Sequence, residues 1–70
     1  MNVHLDCRGL LCPLPVIKLA KALSTVDMGD TVTVLADDPA AATDIPAWCR
    51  MRSQDLVEAH QNRYVVRRVN

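Results

Sequence analysis

Apolar and polar positions alternate in Asn2-Val3-His4-Leu5-Asp6, which puts Val3 and Leu5 on one face and predicts a short strand that stops at Arg8-Gly9. The period then changes from two to that of a helix. From Pro13 onward Val16, Leu19, Ala20, Leu23 and Val26 recur at helical spacing, predicting a helix that lays one stripe on a sheet and ends near Met28-Gly29. Thr31-Val32-Thr33-Val34 restores β-branched alternation and predicts a second strand, closed by the helix-start signal Asp37-Asp38-Pro39. A second helix follows, in which Pro46 is expected to break or kink the run. Asp44 then caps a restart with Ile45 and Pro46 in its first turn, and the second piece runs to about Arg52. The stretches QDLVEAHQ and RYVVRRV flank Gln61-Asn62, where Asn accepts the positive φ of a tight hairpin, so the last two strands should pair antiparallel.

Strand, helix, strand, helix, strand, strand over a single domain, residues 1–70, predicts the α/β class: a two-layer sandwich, β-α-β-α-β-β. Its first crossover should be parallel and right-handed, with both helices on one face of a mixed four-stranded sheet. Composition supports one core and no second, since 50% of the 70 residues are hydrophobic and chains this short have surface for a single core. With no Phe, and only Trp48 and Tyr64 as aromatics, that core is aliphatic and little surface remains for stacking on bases.

Eight basic and eight acidic residues give a net charge of zero, so no general attraction to nucleic acid or to an anionic membrane is expected. The late arginines, Arg50, Arg52, Arg63, Arg67 and Arg68, read as solvated surface, with an RNA contact as the rival that salt dependence would expose. No apolar run approaches the ~20 residues that span a bilayer, and MNVHLDCRG lacks the features of a secretion signal, so a cytoplasmic location is expected. Three unevenly spaced cysteines, Cys7, Cys12 and Cys49, fit reduced thiols better than a disulfide framework. Together with His4 and His60 they show no paired metal-ligand spacing, so no metal and no cofactor are expected. The two-residue spacing of a disulfide oxidoreductase is absent too.

The chemistry concentrates in CRGLLCPLPVIKLAKAL, Cys7 to Leu23. With Cys12 as the N-cap, Pro13 occupies N1 and Pro15 N3, so the prolines stiffen the turn and remove amides that would otherwise bond the sulfur. The helix N-terminus, with Arg8 as a candidate electrostatic neighbour, should lower the Cys12 pKa mildly. Gly9 is expected to supply a backbone angle other residues resist, and Asp6 to bond the turn. Leu14, Ile17, Lys18 and Lys21 lie off the buried stripe and are candidates for a partner-docking patch. Cys7 reads as strand-end packing, a resolving thiol being the alternative, and Cys49 as helix packing beside Trp48.

DCRGLLCPLPVIKLAKAL resembles the opening of the TusA/SirA family of small sulfur-carrier proteins, whose hallmark is Cys-Pro-x-Pro at the start of the first helix, here Cys12-Pro13-Leu14-Pro15. ADDPAAATDIPAWC, Ala36 to Cys49, resembles the family's second-helix segment. The resemblance implies a carrier, monomeric when free, that holds a persulfide on Cys12. It implies a cysteine desulfurase or rhodanese-type donor and an acceptor protein, in a relay feeding tRNA thiolation, molybdenum-cofactor synthesis or sulfur oxidation. A redox-sensing regulatory or adaptor module of the same fold is the competing reading.

Overall fold

The computed structural model describes residues 1–70. Strand β1 (Asn2–Asp6), helix α1 (Leu14–Leu23), strand β2 (Thr31–Leu35), helix α2 (Ala41–Met51) and strands β3 (Asp55–His60) and β4 (Arg63–Arg67) follow in the expected order. The sheet order is β1-β2-β4-β3, with β1 parallel to β2 and the other neighbours antiparallel. Gln61 and Asn62 both take positive φ, 46° and 65°, as a two-residue hairpin turn requires.

Register explains the core. Val3 pairs with Val32 and Leu5 with Val34, while Val66 and Tyr64 pair with the same two β2 residues from the other side. These side chains make one apolar face, on which Leu19 and Leu23 of α1 and Ala41, Ile45 and Cys49 of α2 are buried. The opposite face carries no helix, buries Thr33 at its centre and is polar at its edges. Arg67 pairs with Asp55 at 3.3 Å and Arg63 with Glu58 at 3.0 Å across β3 and β4. Exposed ion pairs of this kind contribute at most about 1 kcal/mol each, so the helix-covered face carries the stability.

Three boundaries differ from the sequence reading, each for a local reason. Helix α1 starts at Leu14 with Pro13 as its cap residue, so Cys12 stands one residue outside the helix and Pro15 is buried at its second position. The Cys12–Pro13 peptide bond is cis. The helix ends at Leu23 rather than near Met28, because the Ser24 and Thr25 hydroxyls donate to the Lys21 and Ala22 carbonyls and turn the chain, while Val26 still reaches the core.

Pro46 does not break α2, which runs unbroken from Ala41 to Met51. The bond Pro46 cannot make is the one to the Ala42 carbonyl, and Ala42 is exposed, so water can serve that oxygen. On the buried side, Ile45 and Cys49 hold the helix to the sheet. The helix also needs no restart at Asp44, because its entry is set earlier: Asp38 Oδ1 accepts the Ala40 N–H at 3.1 Å in the turn before the helix, and the Asp38 and Pro39 carbonyls accept the Ala41 and Ala42 amides.

Candidate functional site

Parallel pairing of β1 and β2 places their C-terminal ends side by side, with Asp6 opposite Leu35 and the Cys7 N–H donating to the Leu35 carbonyl at 2.7 Å. The loops that leave these two ends, toward α1 and toward α2, therefore meet at one edge of the sheet, the place where open α/β sheets present their ligands. Two carboxylates of the second loop bind the backbone of the first. Asp37 Oδ1 accepts the Gly9 N–H at 2.9 Å, and Asp38 Oδ2 accepts the Cys12 N–H at 2.7 Å.

Gly9 takes φ +82° with nothing near the position a Cβ would occupy. The requirement is thus conformational, not steric. Gly9→Ala is expected to cost about 1–2 kcal/mol, the usual penalty for placing a Cβ in left-handed backbone. Its melting temperature, read by circular dichroism, should fall by several degrees.

Cys12 is the one thiol of the three that is not buried. Its Sγ–H donates to Asp44 Oδ2, reaching from the loop before α1 to the first turn region of α2. That bond, then partial desolvation, then the charges of Asp44 and Asp38 push the thiol up to about 11. This reverses the expected mild lowering. The amides that might have favoured thiolate are engaged elsewhere: Cys12 N–H bonds Asp38, Leu14 N–H donates to the Leu11 carbonyl at 3.0 Å, and Pro13 and Pro15 have none.

Arg8 does not serve the sulfur either. Its guanidinium grips Asp6 with two bonds, Nε to Oδ1 at 2.9 Å and a terminal nitrogen to Oδ2 at 2.8 Å. Asp6 also accepts the Arg8 backbone N–H at 3.1 Å, and the paired guanidinium and this N–H hold its carboxyl down at about 2. Asp6 is thereby the turn-bonding residue expected of it, and Arg8 is its counter-ion.

Cys7 is fully buried at the end of β1, and burial raises its pKa. Cys49 is buried on α2, where desolvation first and the charge of Asp55 second push it up to about 11. Neither thiol is placed for solvent chemistry. Leu14 and Ile17 are exposed beside the site, together with Leu11. Lys18 and Lys21 instead line a shallow groove with Leu5, Ala22 and Thr25, so the four docking candidates divide between two surfaces. A second groove is lined by Pro13, Val16, Asp44, Ala47, Trp48 and Met51.

The sequence reading missed Asp38 and Asp44 as neighbours of Cys12. Their only sequence signal was helix-start chemistry, which explains Asp38 in the turn before α2 and says nothing of a contact 32 residues back to the sulfur. No group of His, Cys, Asp and Glu is arranged to hold a metal, and no helix is long and apolar enough to cross a membrane.

Fold and site define a class: a small two-layer α/β protein that offers one accessible thiol, ahead of a proline-bearing helix, at the C-terminal edge of a parallel strand pair. A family model described as sulfurtransferase TusA matches residues 3–68, and the chain belongs to that family. It is 46% identical over 55 residues to a protein of Archaeoglobus fulgidus provisionally named a sulfur carrier, the match covering 79% of this chain and 71% of the other. A Neisseria meningitidis protein named in the same way is 44% identical over 57 residues, 81% of this chain and 77% of that one. The crystal structure of a SirA-like protein from Desulfitobacterium hafniense superposes with a TM-score of 0.69 at 28% identity, covering 94% of this chain and 92% of that chain.

Proposed function

We propose that this protein is a sulfur carrier that takes sulfane sulfur onto Cys12 as a persulfide from a donor protein and hands it to an acceptor protein. One observation carries the reading. In a chain of the TusA family, Cys12 of the Cys-Pro-Leu-Pro motif is the single thiol that is not buried. The chemistry balances without a cofactor. The Cys12 thiolate attacks the outer sulfur of a donor persulfide, the donor S–S bond breaks, and the donor leaves as a thiolate that takes up a proton. On the second leg an acceptor thiolate attacks the outer sulfur on Cys12, which leaves in turn.

Burial of Cys7 supports a carrier further, because a resolving thiol that attacked the Cys12 persulfide would expel sulfide and lose the cargo. A redox sensor wants a low-pKa, exposed thiol beside a resolving partner. Cys12 is held protonated and Cys7 is sealed in the core, so the sensor reading draws no support from this site. Incubation with a cysteine desulfurase and cysteine, or with a rhodanese and thiosulfate, should add the mass of one sulfur atom, removable by a reducing thiol. No added sulfur from either loaded donor would sink the proposal.

A further inference from the structure

The site holds carboxylates and no free cation. Asp38 and Asp44 both bond Cys12, one at its amide and one at its sulfur, and Asp37 stands beside them on the Gly9 amide. The four ion pairs of the molecule join the N-terminus to Asp30, Arg8 to Asp6, Arg63 to Glu58 and Arg67 to Asp55. None neutralises Asp37, Asp38 or Asp44. Arg8, the one cationic side chain of the loop that carries Cys12, is spent on Asp6.

We propose that Asp44 is an electrostatic latch on Cys12: it keeps the sulfur as a protonated thiol in the free carrier and yields when a partner presents a cationic group beside its own reacting sulfur. This rests on Cys12 being the sulfur-carrying residue, but its test does not require a persulfide. A thiol donating to a carboxylate is stabilised as the thiol, because removing its proton would leave two negative charges in contact. A partner ammonium or guanidinium that takes the Asp44 carboxylate removes that penalty. The Cys12 proton is then released to water. The resulting thiolate attacks the partner's outer sulfur, the partner's S–S bond breaks, and the departing thiolate, once protonated from water, closes the balance. Selectivity follows directly. A cationic partner is attracted by Asp37, Asp38 and Asp44 as it approaches, whereas an anionic one is repelled by all three.

The size of the latch follows from the two effects it combines. A pKa of about 11 in place of the ordinary 9.0 leaves roughly a hundredfold less thiolate near neutrality. A more basic thiolate is intrinsically about six- to tenfold more nucleophilic, so releasing the latch nets about tenfold in rate.

Small disulfides of known charge test this on the intact protein, with mixed-disulfide formation at Cys12 read by mass. The probes are cystamine, which is cationic, dithiodipropionate, which is anionic, and bis(2-hydroxyethyl) disulfide, which is neutral. Each rate is divided by that of the same probe with 2-mercaptoethanol, which cancels the differing basicities of the leaving thiols. At about pH 8 and low salt the normalised rate with cystamine should exceed that with dithiodipropionate at least about tenfold, and about 0.5 M salt should shrink that ratio several-fold. In Asp44→Asn the neutral disulfide should react about tenfold faster than with the wild type, and the preference for cystamine should narrow without vanishing, because Asp38 remains. Equal normalised rates for the three probes on the wild-type protein would overturn the latch whether or not the variant folds. So would a neutral-probe rate in folded Asp44→Asn that is unchanged or lower. Since these reactions need no sulfur donor, a failed latch leaves the carrier reading standing, and failed persulfide loading leaves the latch testable.

Discussion

Cys12→Ser is expected to abolish sulfur loading, lowering the rate from a competent desulfurase by at least about a hundredfold, because a serine hydroxyl is a weak nucleophile without an activating base and cannot form a persulfide. The substitution keeps the shape of the site. Serine still donates to Asp44 and leaves the Cys12 amide on Asp38, so the melting temperature should hardly move. Cys7→Ala and Cys49→Ala should give the opposite pattern. Each removes a buried sulfur and opens a small void, costing stability of order 1 kcal/mol, while loading continues at Cys12. Measuring loading by mass and stability by thermal melting on all three variants separates the reacting thiol from the packing ones. Loading that survives in Cys12→Ser would remove the motif cysteine from the mechanism.

Leu19→Ala is expected to have the largest effect on folding. Leu19 is fully buried at the centre of the α1 stripe, and truncating such a leucine costs about 2–5 kcal/mol through lost burial and the cavity left behind. A domain of this length has roughly 4–10 kcal/mol in total. The loss should therefore lower the melting temperature by about 8–40 °C, at roughly 4–8 °C per kcal/mol. Ile17→Ala, two positions away on the same helix, is 55% exposed at the native side chain and should change stability by less than about 0.5 kcal/mol. The contrast decides whether α1 is held by its buried stripe or by its surface. Similar losses at both positions would contradict the packing described above.

How much of this was legible in the chain depended on the range of the interaction involved. Strand β1, strand β2 and the Gln61-Asn62 turn could be read directly, since period-two alternation and a turn residue tolerant of positive φ are local signals. The parallel first crossover followed from a strand, helix, strand order that allows few alternatives. Boundaries failed where side chains competed with the backbone. Ser24 and Thr25 ended α1 early, and the rule against proline inside a helix misjudged Pro46 because the unbonded carbonyl lands on the solvent side.

The motif singled out Cys12 as the candidate thiol, the one of the three that is not buried, and the turn roles of Gly9 and Asp6 were legible from residue type. The electrostatics were not. The helix-end argument gave the local field the deciding vote, whereas the sulfur's ionisation is governed by Asp44, brought up by the pairing of two strands distant in sequence. Arg8 failed as a neighbour for the complementary reason: a carboxylate two residues away had the shorter reach. Local charge is a poor guide to a site whose second half arrives through the fold.

The central claim, that Cys12 carries the sulfur, is tested most directly by locating it. The protein is loaded by a desulfurase with isotopically labelled cysteine, the persulfide is trapped by alkylation, and the peptides are mapped by mass. The account predicts one labelled sulfur on the peptide containing Cys12, lost on reduction, and none on the peptides containing Cys7 or Cys49. Label on either buried cysteine, or on no peptide when the donor is loaded, would contradict it.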